Sequence, residues 1–301
     1  MKKTFRILGV ALVATAMVFA GCNKSEDEDD EEEGGTAALD VTVSQTPTTK
    51  TVLIEEFTGN RCGYCPIGHK YANEVKASLG NKCCVINYHI AGNLANAYCT
   101  EFGRTLNSNF NVEGGSYGLP AAAFNRHDFS GTAKITKGIQ TSTNTYTSWA
   151  NQIASMNASA NVAAAATINK STRQLTVHVK VYYTADGVGT SNKLNIAIIQ
   201  NNVMGTQSGA SANPSQVVGS QYRHNEMFRD FVTGQWGEDI SPVTAGTTID
   251  KTYTYTIPES YTDPTNNNSE AAVLENLEVV VFVSEGNKEV VNACTAKMTL
   301  K

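Results

Sequence analysis

Cys62-Gly63-Tyr64-Cys65 sets two thiols with two residues between them, and within one turn that spacing brings the sulfurs into disulfide reach. If the pair opens a helix, the unpaired N–H groups and the dipole of the helix N-terminus stabilise a thiolate there. Pro66 follows directly and fits a helix only in its first turn, where a missing N–H costs nothing. Cys62 then lies just outside the helix as an exposed, attacking thiolate, and Cys65 inside it as the resolving thiol. Three chemistries suit the pair: reversible thiol–disulfide exchange, a permanent bridge in an exported protein, and metal ligation. Zinc would have to recruit His69 with Cys83 or Cys84, and the absence of a second CxxC leaves that set thin. His69 reads instead as a helix-surface residue. Haem attachment needs His directly after the second cysteine, where Pro66 stands. No metal and no cofactor are expected.

The elements that would carry this motif are legible on both sides of it. Residues 51–57 (TVLIEEF) are apolar and β-branched, as in a strand buried on both faces, and 84–90 (CVINYHI) read as a second such strand. Residues 66–79 between them hold helix formers, giving a βαβ unit with parallel strands and a right-handed crossover. A helix is expected around 98–106, a short strand at 121–125 after Gly118-Leu119-Pro120, and a closing helix with Trp149, Ile153 and Met156 on its apolar face.

Beyond residue 157 the pattern changes. Residues 175–183 alternate, and 194–203, 252–257, 277–284 and 289–299 are further strands, the last two joined by the turn Glu285-Gly286-Asn287-Lys288. Many strands without a long helix indicate an antiparallel β-sandwich, of Ig-like kind. The expected organisation is α/β followed by all-β: a domain over 48–157 and a sandwich over 158–301 with an insertion at 204–248. The insertion holds the run 222–236 (YRHNEMFRDFVTGQW), whose Tyr222, His224, Arg229 and Trp236 suit a recognition surface. The other reading packs its aromatics onto the sandwich. Of the remaining cysteines, Cys83 and Cys84 point to opposite strand faces, so one of them can pair with Cys99 while the other packs as a small hydrophobe. Cys294 reads as buried and reduced. His89, ending a buried strand, reads as a structural partner for backbone groups.

At the N-terminus Lys2, Lys3 and Arg6 precede an apolar stretch over 7–20, which is too short and wrongly flanked to span a membrane. Residues 1–21 read as a secretory signal peptide. Eight consecutive acids from Glu26 to Glu33 then repel one another and stay extended, so 22–47 read as a disordered tether. With the leader's three cations, Lys24 and those eight acids set aside, 19 cations face 20 anions. The acidic balance of the chain belongs to the tether, and the absence of a cationic surplus excludes a nucleic-acid binder.

Several resemblances follow from these residues. Phe19-Ala20-Gly21-Cys22 resembles the lipobox of bacterial lipoproteins, which implies acylation of Cys22 (a palmitate-bearing N-terminus) and a lipid bilayer as partner. The acidic run just after it resembles the surface-export signal of Bacteroidetes lipoproteins, which implies exposure on the outer membrane, with a periplasm-facing protein as the alternative. Strand, CGYC and helix resemble the thioredoxin superfamily. That resemblance implies a buried acid at Glu56 assisting the resolving cysteine, and Leu119-Pro120 as the cis-proline loop lying against the disulfide. The usual fourth strand of that fold is not apparent, and Arg61 and Pro66 stand where thioredoxins carry Trp and Lys. Glu55-Glu56-Phe57-Thr58-Gly59, the CGYC-Pro66 motif, Gly118-Leu119-Pro120 with Asn125-Arg126, and the run 222–236 are similar to a family of lipoproteins named after the outer membrane protein Omp28. Family members are surface or outer-membrane proteins with a thioredoxin-like N-terminal part.

Two functions are compatible with these features. One is a lipid-anchored thiol–disulfide oxidoreductase acting on protein thiols or disulfides through Cys62, Cys65, Glu56 and Pro120. The other is a surface binding protein or adhesin using the sandwich, with the CGYC pair a structural bridge. Reduction and isomerisation need an electron supply that the periplasm has and the cell exterior lacks, so an exposed location favours an oxidase-like or static role.

Overall fold

The structure, a computed structural model, describes residues 39–90, 98–109, 118–131, 137–139, 143–263 and 267–301. The expected leader, Cys22 and the acidic run lie outside them. Residues 39–47, expected as the end of the tether, lie on the body instead. Val41 is buried, and the Asn161 amide donates to the carbonyls of Ser44 and Thr46, both at 2.7 Å. A buried side chain and a paired backbone hold this stretch down where composition alone suggested solvated coil.

The first half runs β1 (Val52–Thr58), α1 (Cys65–Leu79), β2 (Cys83–His89), α2 (Glu101–Asn109), β3 (Ala121–Phe124), β4 (Lys137–Ile139) and α3 (Thr143–Ser155). β1 and β2 are buried at every position and pair in parallel from Val52↔Cys83 to Thr58↔His89. β3 adds antiparallel to the other edge of β1, and β4 antiparallel to β3. Val52 and Ile54 on one face pack with Ala72, Val75, Phe124, Tyr146 and Ile153, so α1 and α3 cover that side. Leu53 and Phe57 on the other face pack with Ile86, Tyr88, Leu106, Phe228 and Phe282.

The second half is built of strands: β5 (Ala160–Asn169), β6 (Gln174–Tyr183), β7 (Asn192–Gln200), β8 (Val203–Gly205), β9 (Val217–Val218), β10 (Gln221–His224), β11 (Met227–Phe231), β12 (Glu238–Ile240), β13 (Thr248–Thr256), β14 (Ser260–Thr262), β15 (Ser269–Ala271), β16 (Leu277–Ser284), β17 (Val290–Thr295) and β18 (Lys297–Leu300). One sheet follows the order β13-β6-β5-β18. The inward side chains Leu175, Val177, Val179 and Val181 of β6 meet Ile196, Ile198, Val279 and Val281 of β7 and β16, which makes two packed layers. β18 runs parallel to β5, so this sheet is not wholly antiparallel. β5 has the sequence ANVAAAATIN and was not expected as a strand, because alanine is depleted in strands. The segment expected as one last strand breaks at Ala296, which sends β17 and β18 to different sheets.

The sheet also runs through the boundary expected at 157/158. Its order is β17-β16-β7-β11-β2-β1-β3-β4, with β12 also on β7. β11, from within the insertion, pairs antiparallel with β7 and, through Met227↔Asn87, parallel with β2. Residues 39–301 form one compact unit. No helix among the described residues is long and apolar enough to cross a membrane.

Candidate functional site

β1 delivers the chain to a tight turn at 59–64. The Cys62 N–H donates to Gly59 O at 3.0 Å, and the Cys65 N–H to Cys62 O at 3.3 Å. α1 begins at Cys65 with Pro66 in its first turn, and no side chain caps it, so its first amides face the turn. Cys62 and Cys65 are joined by a disulfide with their Cα atoms 5.4 Å apart. Cys62 is only 3% exposed, against the exposed thiol expected at this position, while Tyr64 beside it is 73% exposed.

Glu56 lies behind the motif. Its carboxyl is fully buried, and neither oxygen has a hydrogen-bond partner. Burial, and then the charge of Glu226, hold it well above the usual carboxylate range, which favours its protonated form. A Cβ on Gly68 would overlap Glu56 Oε1 and sit 2.8 Å from Pro120 Cβ. Gly68 is three residues beyond Cys65 and therefore on the same helix face. Glu56 and Pro120 thus meet on α1 one turn below the disulfide, and the Leu119-Pro120 bond is cis.

Alternation along β1 turns Glu55 to the opposite side. There Arg126 donates through Nε and a terminal nitrogen to its two oxygens at 2.7 and 2.8 Å, and the Tyr88 hydroxyl donates at 3.1 Å. The guanidinium stacks 5.1 Å from the Phe282 ring centroid. Asn125 completes the turn: its amide donates to Thr51 O and its side-chain oxygen accepts from Leu53 N–H. The Asn125-Arg126 pair therefore fastens β1 and β3 to β16 and leaves the sulfurs alone.

The cover over Cys62 comes from residues 206–213, between β8 and β9. The Gln207 side-chain amide donates to Gly59 O at 3.2 Å and to Cys62 O at 3.0 Å. The Ser208 N–H donates to Asn60 O at 2.8 Å. Gly209 has a φ of +72°, and a Cβ there would overlap Gly63 O. At the far end Asn213 donates to the Tyr222 oxygen at 3.2 Å, and that hydroxyl lies 2.9 Å from His69 Nδ1. His69 Nε2 is 2.8 Å from Thr58 Oγ1. With the Tyr222 hydrogen aimed at Nδ1, the Nε2–H donates to Thr58, which is the neutral tautomer. Burial, and then His224, lower the His69 pKa to about 3.

His69 is thus a buried link and not a surface residue. The insertion that covers it is remote in sequence, so helical periodicity gave no sign of its burial. Tyr222, His224 and Arg229 are buried as well, and Trp236 packs partly buried against Phe57 and its neighbours. Three of the four side chains expected to form a recognition surface therefore point into the interior, and Trp236 stays partly exposed. His89 packs its ring against Tyr98 and His224, with centroids 5.3 and 5.4 Å away. None of the ring nitrogens of His89 and His224 makes a well-formed hydrogen bond, and the backbone groups nearest to them are those of Asn87 for His89 and Thr206 for His224.

Cys83, Cys84, Cys99 and Cys294 stand outside any disulfide, so the pairing with Cys99 does not occur. Burial pushes Cys83 up to about 12 and Cys84 and Cys99 to about 11, which keeps these thiols protonated and unreactive. Among the described residues no three of His, Cys, Asp and Glu gather as a metal-holding group. The Cys62–Cys65 disulfide, a buried carboxyl whose protonated form is favoured, and a proline loop are what the site offers chemically.

The family model for outer membrane protein Omp28 matches residues 106–300. Among solved structures, HBP35 of Porphyromonas gingivalis is 17% identical with a TM-score of 0.59, over 84% of this chain and 78% of that one. A domain of the outer membrane lipoprotein Omp28 from Porphyromonas gingivalis is 20% identical with a TM-score of 0.30, over 48% of this chain and 91% of its own. The search of curated proteins found no match.

Proposed function

The chain belongs to the Omp28 family of outer membrane proteins, and we propose that it is a lipoprotein, anchored through Cys22 and exposed at the cell surface, whose CGYC pair performs thiol–disulfide exchange. Its first part is read as thioredoxin-like and its second as an Ig-like sandwich sharing the same sheet. The observation that carries the exchange reading is Glu56: a buried, unpartnered carboxyl pressed between Pro120 and the face of α1 that bears Cys65. Nothing structural is gained from burying such a group bare, whereas a proton store behind a resolving thiol is what exchange needs.

In the oxidised state a substrate thiolate attacks Cys62 Sγ, the Cys62–Cys65 bond breaks, and Cys65 leaves as a thiolate that Glu56 protonates. A second substrate thiol then attacks the substrate sulfur of the mixed disulfide and releases Cys62. The substrate is oxidised by two electrons and the CGYC pair reduced by two. This direction needs no supply of reducing equivalents and suits an exposed protein. The adhesin reading keeps the sandwich but loses Tyr222, His224 and Arg229 as surface residues, since these three are buried.

The test is the reduction potential of the pair together with insulin turnover by wild type and Cys62→Ser. A potential above about −300 mV with turnover that vanishes in the variant supports exchange. A lower potential with no turnover makes the pair a structural bridge. Protease shaving of intact cells checks the location: a chain cut only after the outer membrane is permeabilised is not surface-exposed.

A further inference from the structure

We infer that residues 206–212 are a strap that gates the CGYC pair, so that sulfur chemistry at Cys62 requires this segment to lift. The regulation rests on the exchange reading for its use, but the gate is a property of the disulfide itself. Three independent contacts seat the strap on the turn: the two Gln207 bonds to Gly59 O and Cys62 O, the Ser208 N–H on Asn60 O, and Gly209 laid against Gly63 O so closely that no side chain fits between them. Beneath them Cys62 is 3% exposed and Cys65 is wholly buried, and a thiol must reach sulfur along the S–S axis to exchange.

The seat is built to release. Its bonds join a side chain and one backbone N–H to a turn, with no strand ladder, and Gln207 Oε1 has no partner. The segment carries only a single 3₁₀ turn at Ala210–Ala212. Asn213 beyond it stays tied through Tyr222 and His69 to the end of β1. The strap therefore hinges between a fixed Asn213 and β8, and local opening of this kind draws on the least stable part of a fold.

The experiment measures reduction of the protein's own disulfide by TCEP, followed by alkylation of the released thiols and mass readout. The phosphine takes an oxygen from water as each sulfur gains a proton, so no other reductant enters. Gln207→Ala loses the two side-chain hydrogen bonds to the turn, with a third to Ser208 O inside the strap, and is expected to speed reduction about tenfold. Gly209→Ala, which cannot seat, is expected to do so too. Labelling of buried Cys84 reports global opening and should stay at the wild-type rate. Equal reduction rates in all three proteins, or Cys84 labelling that rises in step with reduction, would overturn the gate. Because TCEP needs no protein substrate, an inactive insulin assay with fast reduction in the variants removes the exchange reading and leaves the strap. Insulin turnover with unchanged TCEP rates does the reverse.

Discussion

Glu56→Gln should change how stability depends on pH, and the sign follows from the carboxyl's surroundings. Burial, and then Glu226, raise its folded pKa well above 4.5, while in the unfolded chain it titrates near the ordinary value. The folded state therefore binds more protons over the interval between the two. The group's stabilising share is complete below the unfolded pKa and is lost as pH rises towards the folded one. Across that interval wild type loses about 1.4 kcal/mol per pH unit relative to a variant that cannot ionise. His69, His89 and His224 act with the opposite sign, since burial lowers all three, but they are common to both proteins and cancel in the difference. Urea unfolding of both proteins with the disulfide intact, at half-unit steps upward from pH 4.5, gives that difference directly. The amide that replaces the carboxyl is as bare of partners as the protonated acid, so any constant offset is uninformative and the slope decides. Parallel stability profiles would refute the argument and mean that Glu56 finds a counter-charge or water when ionised.

Arg126→Met leaves Glu55 buried without its cation and should lower stability in urea by about 3–5 kcal/mol, and adding Glu55→Gln should recover part of that loss. Tyr222→Phe cuts the link between Asn213 and His69 and should cost about 1–3 kcal/mol by the same measurement. His224 titrates near 4 in the fold against 6.5 in the unfolded chain. Its share of stability is present above 6.5 and lost as pH falls through about 4, so His224→Phe should flatten the acid limb of the stability profile and move acid unfolding, followed by circular dichroism, to lower pH.

The first βαβ unit was readable because its signals are local: two unbroken apolar runs, a CxxC and a proline that fits only a helix start. The Glu56 and Pro120 positions followed from resemblance, and the structure puts both against Gly68. What escaped is everything that depends on chain segments far apart. Gln207 and Cys62 are 145 positions apart, and nothing in Gln207-Ser208-Gly209 marks a segment that closes over a disulfide. β5 escaped because its alanines lack the branched side chains that mark a strand. The composition of 222–236 suited an interface as well as a core, and only the pairing of β11 with β2 and β7 decides between them. Tyr222 of β10, from the same remote insertion, covers His69, which helical spacing alone places outside.

That pairing also bears on how the molecule is made. Met227 meets Asn87 across the centre of the main sheet, so the half that holds the dithiol cannot complete its own sheet. A chain synthesised from its N-terminus presents residues 52–90 long before 227–231, and such long-range closure is slow. Over that period the edge of β2 is unpaired and the strap has not been made, so Cys62 and Cys65 are most accessible to an oxidant before the polypeptide is finished.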